Sequence, residues 1–199
     1  DIAALETALS ARDVAAVLAE PAMTNIGIIH PDPGYHDALR EITKKHGTYL
    51  IIDETHTICT GPGGYTASFG LQPDFLTLGK PLAGGVPAAV YGFTEEVSRK
   101  FIEKLDVDDA DVGGIGGTLA GNALSIAAMK ATLQNVLTDE FYVKAAKLQE
   151  QFTAGVEAVI QEFDLMAEEY GFETIDANRP VNAVFEELKT RIRPLLETA

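Results

Sequence analysis

Asp53 and Lys80 are the two residues of this chain whose types and spacing point to chemistry. Asp53 closes the apolar run "TYLIIDE" (48–54), and Lys80 stands 27 residues later, directly after "FLTLG" and ahead of Pro81 and Gly84-Gly85. An aspartate at the end of a buried strand can accept a strong hydrogen bond from a protonated ring nitrogen. A lysine held in a desolvated pocket becomes a nucleophilic amine. Together the two fit a pyridoxal phosphate site, with the lysine as Schiff-base former and the carboxylate keeping the ring nitrogen protonated. They also fit two strand-end charges facing water, and the spacing by itself favours that plainer reading.

The elements that would position them follow from periodicity. Residues 14–20, "VAAVLAE", are an apolar run ending in a carboxylate, and "TNIGIIHPDPG" (24–34) is rich in turn formers. "YHDALREITKKHG" places Tyr35, Leu39 and Ile42 on one helical face, with Gly47 as its stop. The β-branched run through 48–54 reads as a strand buried on both faces of a parallel sheet. Further strands fit 75–78 and 87–92. Helices are predicted over 94–105, with a Thr94 cap, over 117–136 and over 139–163. The strand–helix–strand spacing through Asp53 implies a right-handed parallel unit, whose ligands sit beyond the carboxyl ends of the strands.

Composition narrows the partners. The chain has 199 residues and a formal charge of −15, from 30 acidic and 15 basic residues. Such a surface repels nucleic acid and anionic membranes, so no nucleic acid and no membrane partner is expected. No apolar run reaches membrane-spanning length, and "DIAALETALSARD" carries no signal pattern. Cys59 is the lone cysteine, which excludes an internal disulfide and a Cys-rich zinc site and suits a reducing cytoplasm. It reads as a small apolar filler. His56 reads as a packing or hydrogen-bonding residue. The glycines of "TGPGGYTASFG" lack the lysine and hydroxyl of a P-loop and read as a site-side loop.

Three longer stretches, "AEPAMTNIGIIHPDPGYHDALREITKKHGTYLIIDETHT", "DFLTLGKPLAGGVPAAVYGF" and "GGTLAGNALSIAA", carry a resemblance. In order and spacing they resemble the class III, fold-type I PLP-dependent aminotransferases, most of all the glutamate-1-semialdehyde 2,1-aminomutase-like members. The resemblance runs from about residue 10 to about residue 160 and reverses the plainer reading of Asp53 and Lys80. It implies an α/β fold: a large-domain portion of mostly parallel sheet flanked by helices, then a helical C-terminal segment. It implies PLP-dependent transfer of an amino group, by aminotransferase or aminomutase, from a small-molecule amino donor. Lys80 falls on the Schiff-base lysine and Asp53 on the partner of the pyridine nitrogen. Thr118 falls on the threonine that reaches the cofactor phosphate of the neighbouring subunit, after Gly117 and a close backbone approach, and so implies a homodimer. Thr55 falls where the family packs a side chain on the ring, Glu20-Pro21 on a pair near the site, and Asn25 on the following loop.

The resemblance also implies a division. Residues 1–136 correspond to part of the PLP-binding large domain and 137–199 to a long helix with a C-terminal segment whose origin the resemblance leaves open. The family's phosphate-binding turn, ring-stacking aromatic and much of its substrate pocket belong to an N-terminal segment that this chain is expected to lack. After Phe163, "YGFETIDANRP" and "VFEELKTRIRPLL" resemble instead the strand, turn and closing helix of a thymidylate-kinase-type tail, without any Walker A motif. The alternatives are therefore a truncated or chimeric, non-catalytic scaffold and, more remotely, a nucleotide-binding module.

Overall fold

A computed structural model describes residues 1–104 and 116–197. Four strands form one sheet in the order β1 (Ala16–Ala19), β2 (Tyr49–Asp53), β3 (Phe75–Leu78), β4 (Val90–Phe93). The first three run parallel, with Leu18 opposite Ile51 and Ile52 opposite Leu76, and β4 returns antiparallel with Val90 opposite Leu78. The fold is the expected α/β arrangement of mostly parallel sheet flanked by helices. The fourth strand starts at Val90 and not at Pro87. Pro87 has no N–H to give a ladder.

Helix α1 (Ile2–Leu9) is capped by Asp1, whose carboxylate accepts from the amides of Ala3 and Ala4 at 2.9 and 3.1 Å. Helix α2 (Tyr35–His46) connects β1 to β2 and ends at Gly47, with Lys44, Lys45 and His46 in its last turn, where cations suit the helix dipole. Leu39 of α2 packs on Leu50 and Ile52 of β2, and Leu5, Val17, Ala19, Tyr35 and Leu76 pack against this core. Along β2, Leu50 and Ile52 are buried while Tyr49, Ile51 and Asp53 are half-buried. The two-sided burial expected of this strand is thus met on the face that α2 covers and incompletely on the other.

Arg40 of α2 makes a two-pronged ion pair with Asp74, at 2.7 and 2.9 Å, and Asp74 also accepts from the Leu50 amide at 2.8 Å. One carboxylate thereby ties together helix α2, the start of β2 and the approach to β3. Burial disfavours the charged form of Asp74, but the hydrogen bonds from Arg40 and Leu50 outweigh it and hold the carboxyl below its usual range. Asp74→Asn is expected to cost about 2 kcal/mol at neutral pH, measured by urea unfolding. A depressed folded pKa contributes stability above the unfolded value, about 3.9, and loses it as pH falls through the folded one. The gap between wild type and Asp74→Asn should therefore close on acidification.

Helix α3 (Gly64–Phe69) lies between β2 and β3. After β4 come α4 (Glu95–Lys104), α5 (Ala123–Asn135), α6 (Asp139–Tyr170) and α7 (Val181–Glu197). Thr94 caps α4 as expected, accepting from the Val97 amide at 3.4 Å, and Leu105, its predicted last residue, lies outside the described residues. Helix α5 starts later than the predicted Gly117. Asn122 takes the N-cap position, accepting from the Ser125 amide at 2.9 Å, and residues 117–121 form turns ahead of it. Helix α6 runs on past Phe163 to Tyr170.

The chain divides into two compact units, Asp1–Ala145 and Ala146–Ala199. In the second, the strand expected within 170–180 does not form. Residues 171–180 run as an irregular connection tied to α7 by ion pairs of Arg191 with Glu173, at 3.3 Å, and of Arg179 with Glu187.

Candidate active site

Because β1, β2 and β3 are parallel, their carboxyl ends share one edge of the sheet. Glu20 follows β1, Asp53 closes β2, and Lys80 comes two residues past β3. The antiparallel β4 begins at the same edge. There the Ser125 hydroxyl of α5 donates to the Pro87 carbonyl at 3.1 Å, anchoring the first turn of α5 beside it.

Asp53 keeps its charge. Burial alone would raise its pKa, but hydrogen bonds from Thr55 and Thr77 and the positive charge of Lys80 outweigh it, so the carboxyl lies below its ordinary range. The Thr55 amide donates to Asp53 Oδ1 at 2.9 Å. Among the described residues Asp53 forms no ion pair with a cationic side chain, and Lys80 acts on it through space. That leaves an ionised acceptor at the sheet edge.

Lys80 begins a short 3-10 turn, Lys80–Ala83, whose Leu82 and Ala83 are buried. Its φ of 46° is left-handed, a conformation that costs a side-chain-bearing residue about 1 kcal/mol and persists only where the surroundings impose it. The side chain itself is exposed. Thr55 lies beside it: a Cβ on the buried Gly79 would sit 3.5 Å from both the methyl and the hydroxyl of Thr55. Asp53, Thr55 and Lys80 are thus brought together.

The other expected site residues are placed differently. Thr118 is exposed, in the Gly117–Ala120 turn closed by an Ala120 amide to Gly117 carbonyl bond of 2.8 Å. The turn needs Gly116, whose φ is 142° and whose Cβ would meet that of Ala120 at 2.8 Å. Glu20 accepts from the Thr24 hydroxyl at 2.7 Å, and Asn25 sits exposed at the tip of the Met23–Ile29 turn. Among the described residues no hydrogen bond joins Glu20, Asn25, Gly117 or Thr118 to Asp53 or Lys80. Cys59, expected as an apolar filler, is free and exposed.

Two residues of the β2 exit loop belong beside the site although their sequence context does not announce it. Glu54 is completely buried. Its carboxyl oxygens accept from the Thr57 hydroxyl at 2.6 Å, the Tyr65 amide at 2.9 Å and the Thr66 amide, satisfying the first amides of α3. Gly64 makes room for it: φ is 72°, and a Cβ there would approach the carboxylate to 2.6 Å. The available signal is an acid followed, about ten residues on, by a glycine-rich loop with free amides. His56 hydrogen-bonds the Lys80 amine through Nε2. Only the fold shows that contact.

A parallel α/β sheet with a lysine and an ionised aspartate at its carboxyl edge has the fold of the fold-type I aminotransferases. The family model "Aminotransferase class-III" matches residues 1–168, and the chain belongs to that family. It is 37% identical over 145 residues to a glutamate-1-semialdehyde 2,1-aminomutase 2 of Brevibacillus brevis, covering 72% of this chain and 32% of the relative. It is 39% identical over 164 residues to the aminomutase of Sorangium cellulosum, covering 81% and 36%. The crystal structure of a glutamate-1-semialdehyde aminomutase from Pseudomonas aeruginosa PAO1 superposes with a TM-score of 0.76 at 48% identity, covering 83% of this chain and 37% of that one. A further structure of that enzyme is in complex with PMP. An omega-transaminase of Sphaerobacter thermophilus matches with a TM-score of 0.68 at 32% identity, covering 81% of this chain and 36% of that one. The chain spans about a third of the length of these relatives.

Proposed function

We propose that this chain carries the lysine-bearing portion of a pyridoxal-phosphate-dependent enzyme that transfers an amino group between small molecules, as aminotransferase or aminomutase. The observation that carries it is the meeting of an accessible Lys80 amine with an ionised Asp53 at the carboxyl edge of the sheet. These residues fit the cofactor. The amine is what an aldehyde needs, and the carboxylate, which takes the Thr55 amide on Oδ1, has further lone pairs with which to accept from a protonated ring nitrogen. When bound, the cofactor supplies the aldehyde carbon and an electron sink.

In this reading Lys80 would hold the cofactor through its amine and would carry the proton that moves during amino transfer. Asp53 keeps a proton on the ring nitrogen. Thr55, packed against Gly79, presents its side chain to the ring. Gly117 and Thr118 bind phosphate across a homodimer interface, reaching the neighbouring site from an exposed turn. Glu20 and Asn25 line the approach from the loop after β1. Residues 1–136 form the cofactor-binding part and 137–199 a helical appendage. The setting is a reducing cytoplasm, where Cys59 stays a thiol. Among the described residues no helix is long and apolar enough to cross a membrane.

The test is titration of the purified chain with PLP. The expected result is a saturable visible absorption band that borohydride abolishes, leaving the cofactor fixed on the peptide containing Lys80. No band at any PLP concentration, or fixation spread evenly over the lysines, would overturn the proposal.

A further inference from the structure

His56 stands in the β2 exit loop between two threonines, and both of these neighbours are pinned. The Thr55 amide is bound to Asp53 and the Thr57 hydroxyl to the buried Glu54. The His56 imidazole reaches across to the strained Lys80, and Nε2 hydrogen-bonds the amine. Neither end of this contact is a freely swinging side chain on a loose backbone. One is held by the threonine–carboxylate bonds on either side of it, the other sits on a left-handed backbone at the start of a turn whose Leu82 and Ala83 are buried. The charged groups that face the loop are otherwise engaged: Glu54 by Thr57, Tyr65 and Thr66, and Asp53 by Thr55. Among the described residues Lys80 is the hydrogen-bond partner of the His56 ring.

A lysine that attacks an aldehyde must first lose a proton, and the acceptor must be within hydrogen-bond reach. We propose that His56 is that acceptor, a catalytic residue for the amine chemistry of Lys80. The Lys80 ammonium breaks one N–H bond, His56 Nε2 forms one, and the positive charge passes to the imidazole. The exposed ring then releases the proton to water. No electrons are exchanged and no further reagent is needed. This inference rests on the reading of Lys80 as the reacting amine, but not on the cofactor itself.

The experiment therefore uses a simple aldehyde. The full chain without cofactor is treated with acetaldehyde and cyanoborohydride at neutral pH, and the alkylation rate of each lysine is followed by peptide mass spectrometry. His56→Leu is expected to slow Lys80 about 10²-fold while the other lysines keep their rates. His56→Gln, which retains a hydrogen-bonding side chain but no base, should remain slow, and imidazole in the buffer should restore the rate of His56→Ala. Wild-type rates in His56→Leu would overturn the proposal, as would full recovery in His56→Gln, which would make the contact purely one of positioning. Should His56→Leu not fold, the near-isosteric His56→Gln carries the test. Rates that follow His56 in a chain that captures no PLP would support this inference and overturn the proposed function. Capture of PLP with rates indifferent to His56 would do the reverse.

Discussion

Lys80→Ala is expected to remove the PLP absorption band and the borohydride-fixed adduct altogether, and to reduce amino transfer by about 10⁴-fold or more. The size follows from the lysine doing two jobs, bonding the aldehyde carbon and carrying the proton. Three of the other lysines are already engaged in ion pairs. Lys45 is paired with Glu6, Lys100 with Glu96 and Lys189 with Glu186, each on an exposed surface. Lys80→Arg separates charge from nucleophilicity. It keeps a cation near Asp53 and should fail at capture as completely as alanine does. Folding should survive both changes, since the side chain is exposed and buries no apolar area, and thermal midpoints should move little. A band of wild-type intensity in Lys80→Ala would mean that another amine does the work.

What the sequence made legible was whatever is written in local pattern. The run 48–54, the helix over 35–46 with its Gly47 stop, and the Thr94 cap each follow from neighbours a few residues apart, and the structure has them where expected. Asp53 and Lys80 stand out locally as polar residues after apolar strands, but local pattern alone reads them as solvated strand-end charges, and only the family resemblance makes them an expected site. The misses share the opposite character. The late start of α5 turns on Asn122 outcompeting the small residues before it as a cap, a choice among several plausible starts. The strand expected within 170–180 comes from a resemblance in the tail and not from local pattern, since Gly171, Asp176, Asn178 and Pro180 are residues that strands disfavour. His56 and Glu54 act through partners 24 and 11–12 residues away, brought near by the β2 exit loop and the turn after β3. A lone histidine after a strand gives no hint of a lysine across the sheet edge.

Asp53→Asn should leave capture largely intact while crippling turnover. The substitution keeps the size and an acceptor oxygen but removes the negative charge that holds a proton on a ring nitrogen. A charge-assisted hydrogen bond is worth about 1.5–3 kcal/mol, so amino transfer should fall about 10²-fold at saturating PLP. Covalent capture by Lys80 needs only the aldehyde, and the band should survive. The acid side is informative as well. In the wild type, hydrogen bonds from Thr55 and Thr77 and the charge of Lys80 keep Asp53 ionised below the ordinary carboxylate range, despite its partial burial. Its contribution to stability is thus present above the unfolded pKa and is lost as pH falls through the folded one. The substituted amide cannot titrate, so the variant should lose less stability than wild type on acidification, measured by urea unfolding from neutral pH downward. Equal turnover in the two proteins would show that Asp53 is a strand-end charge and no more. Turnover lost together with the band would make it a structural prop for Lys80, acting through Thr55 and Gly79, and not the partner of the ring nitrogen.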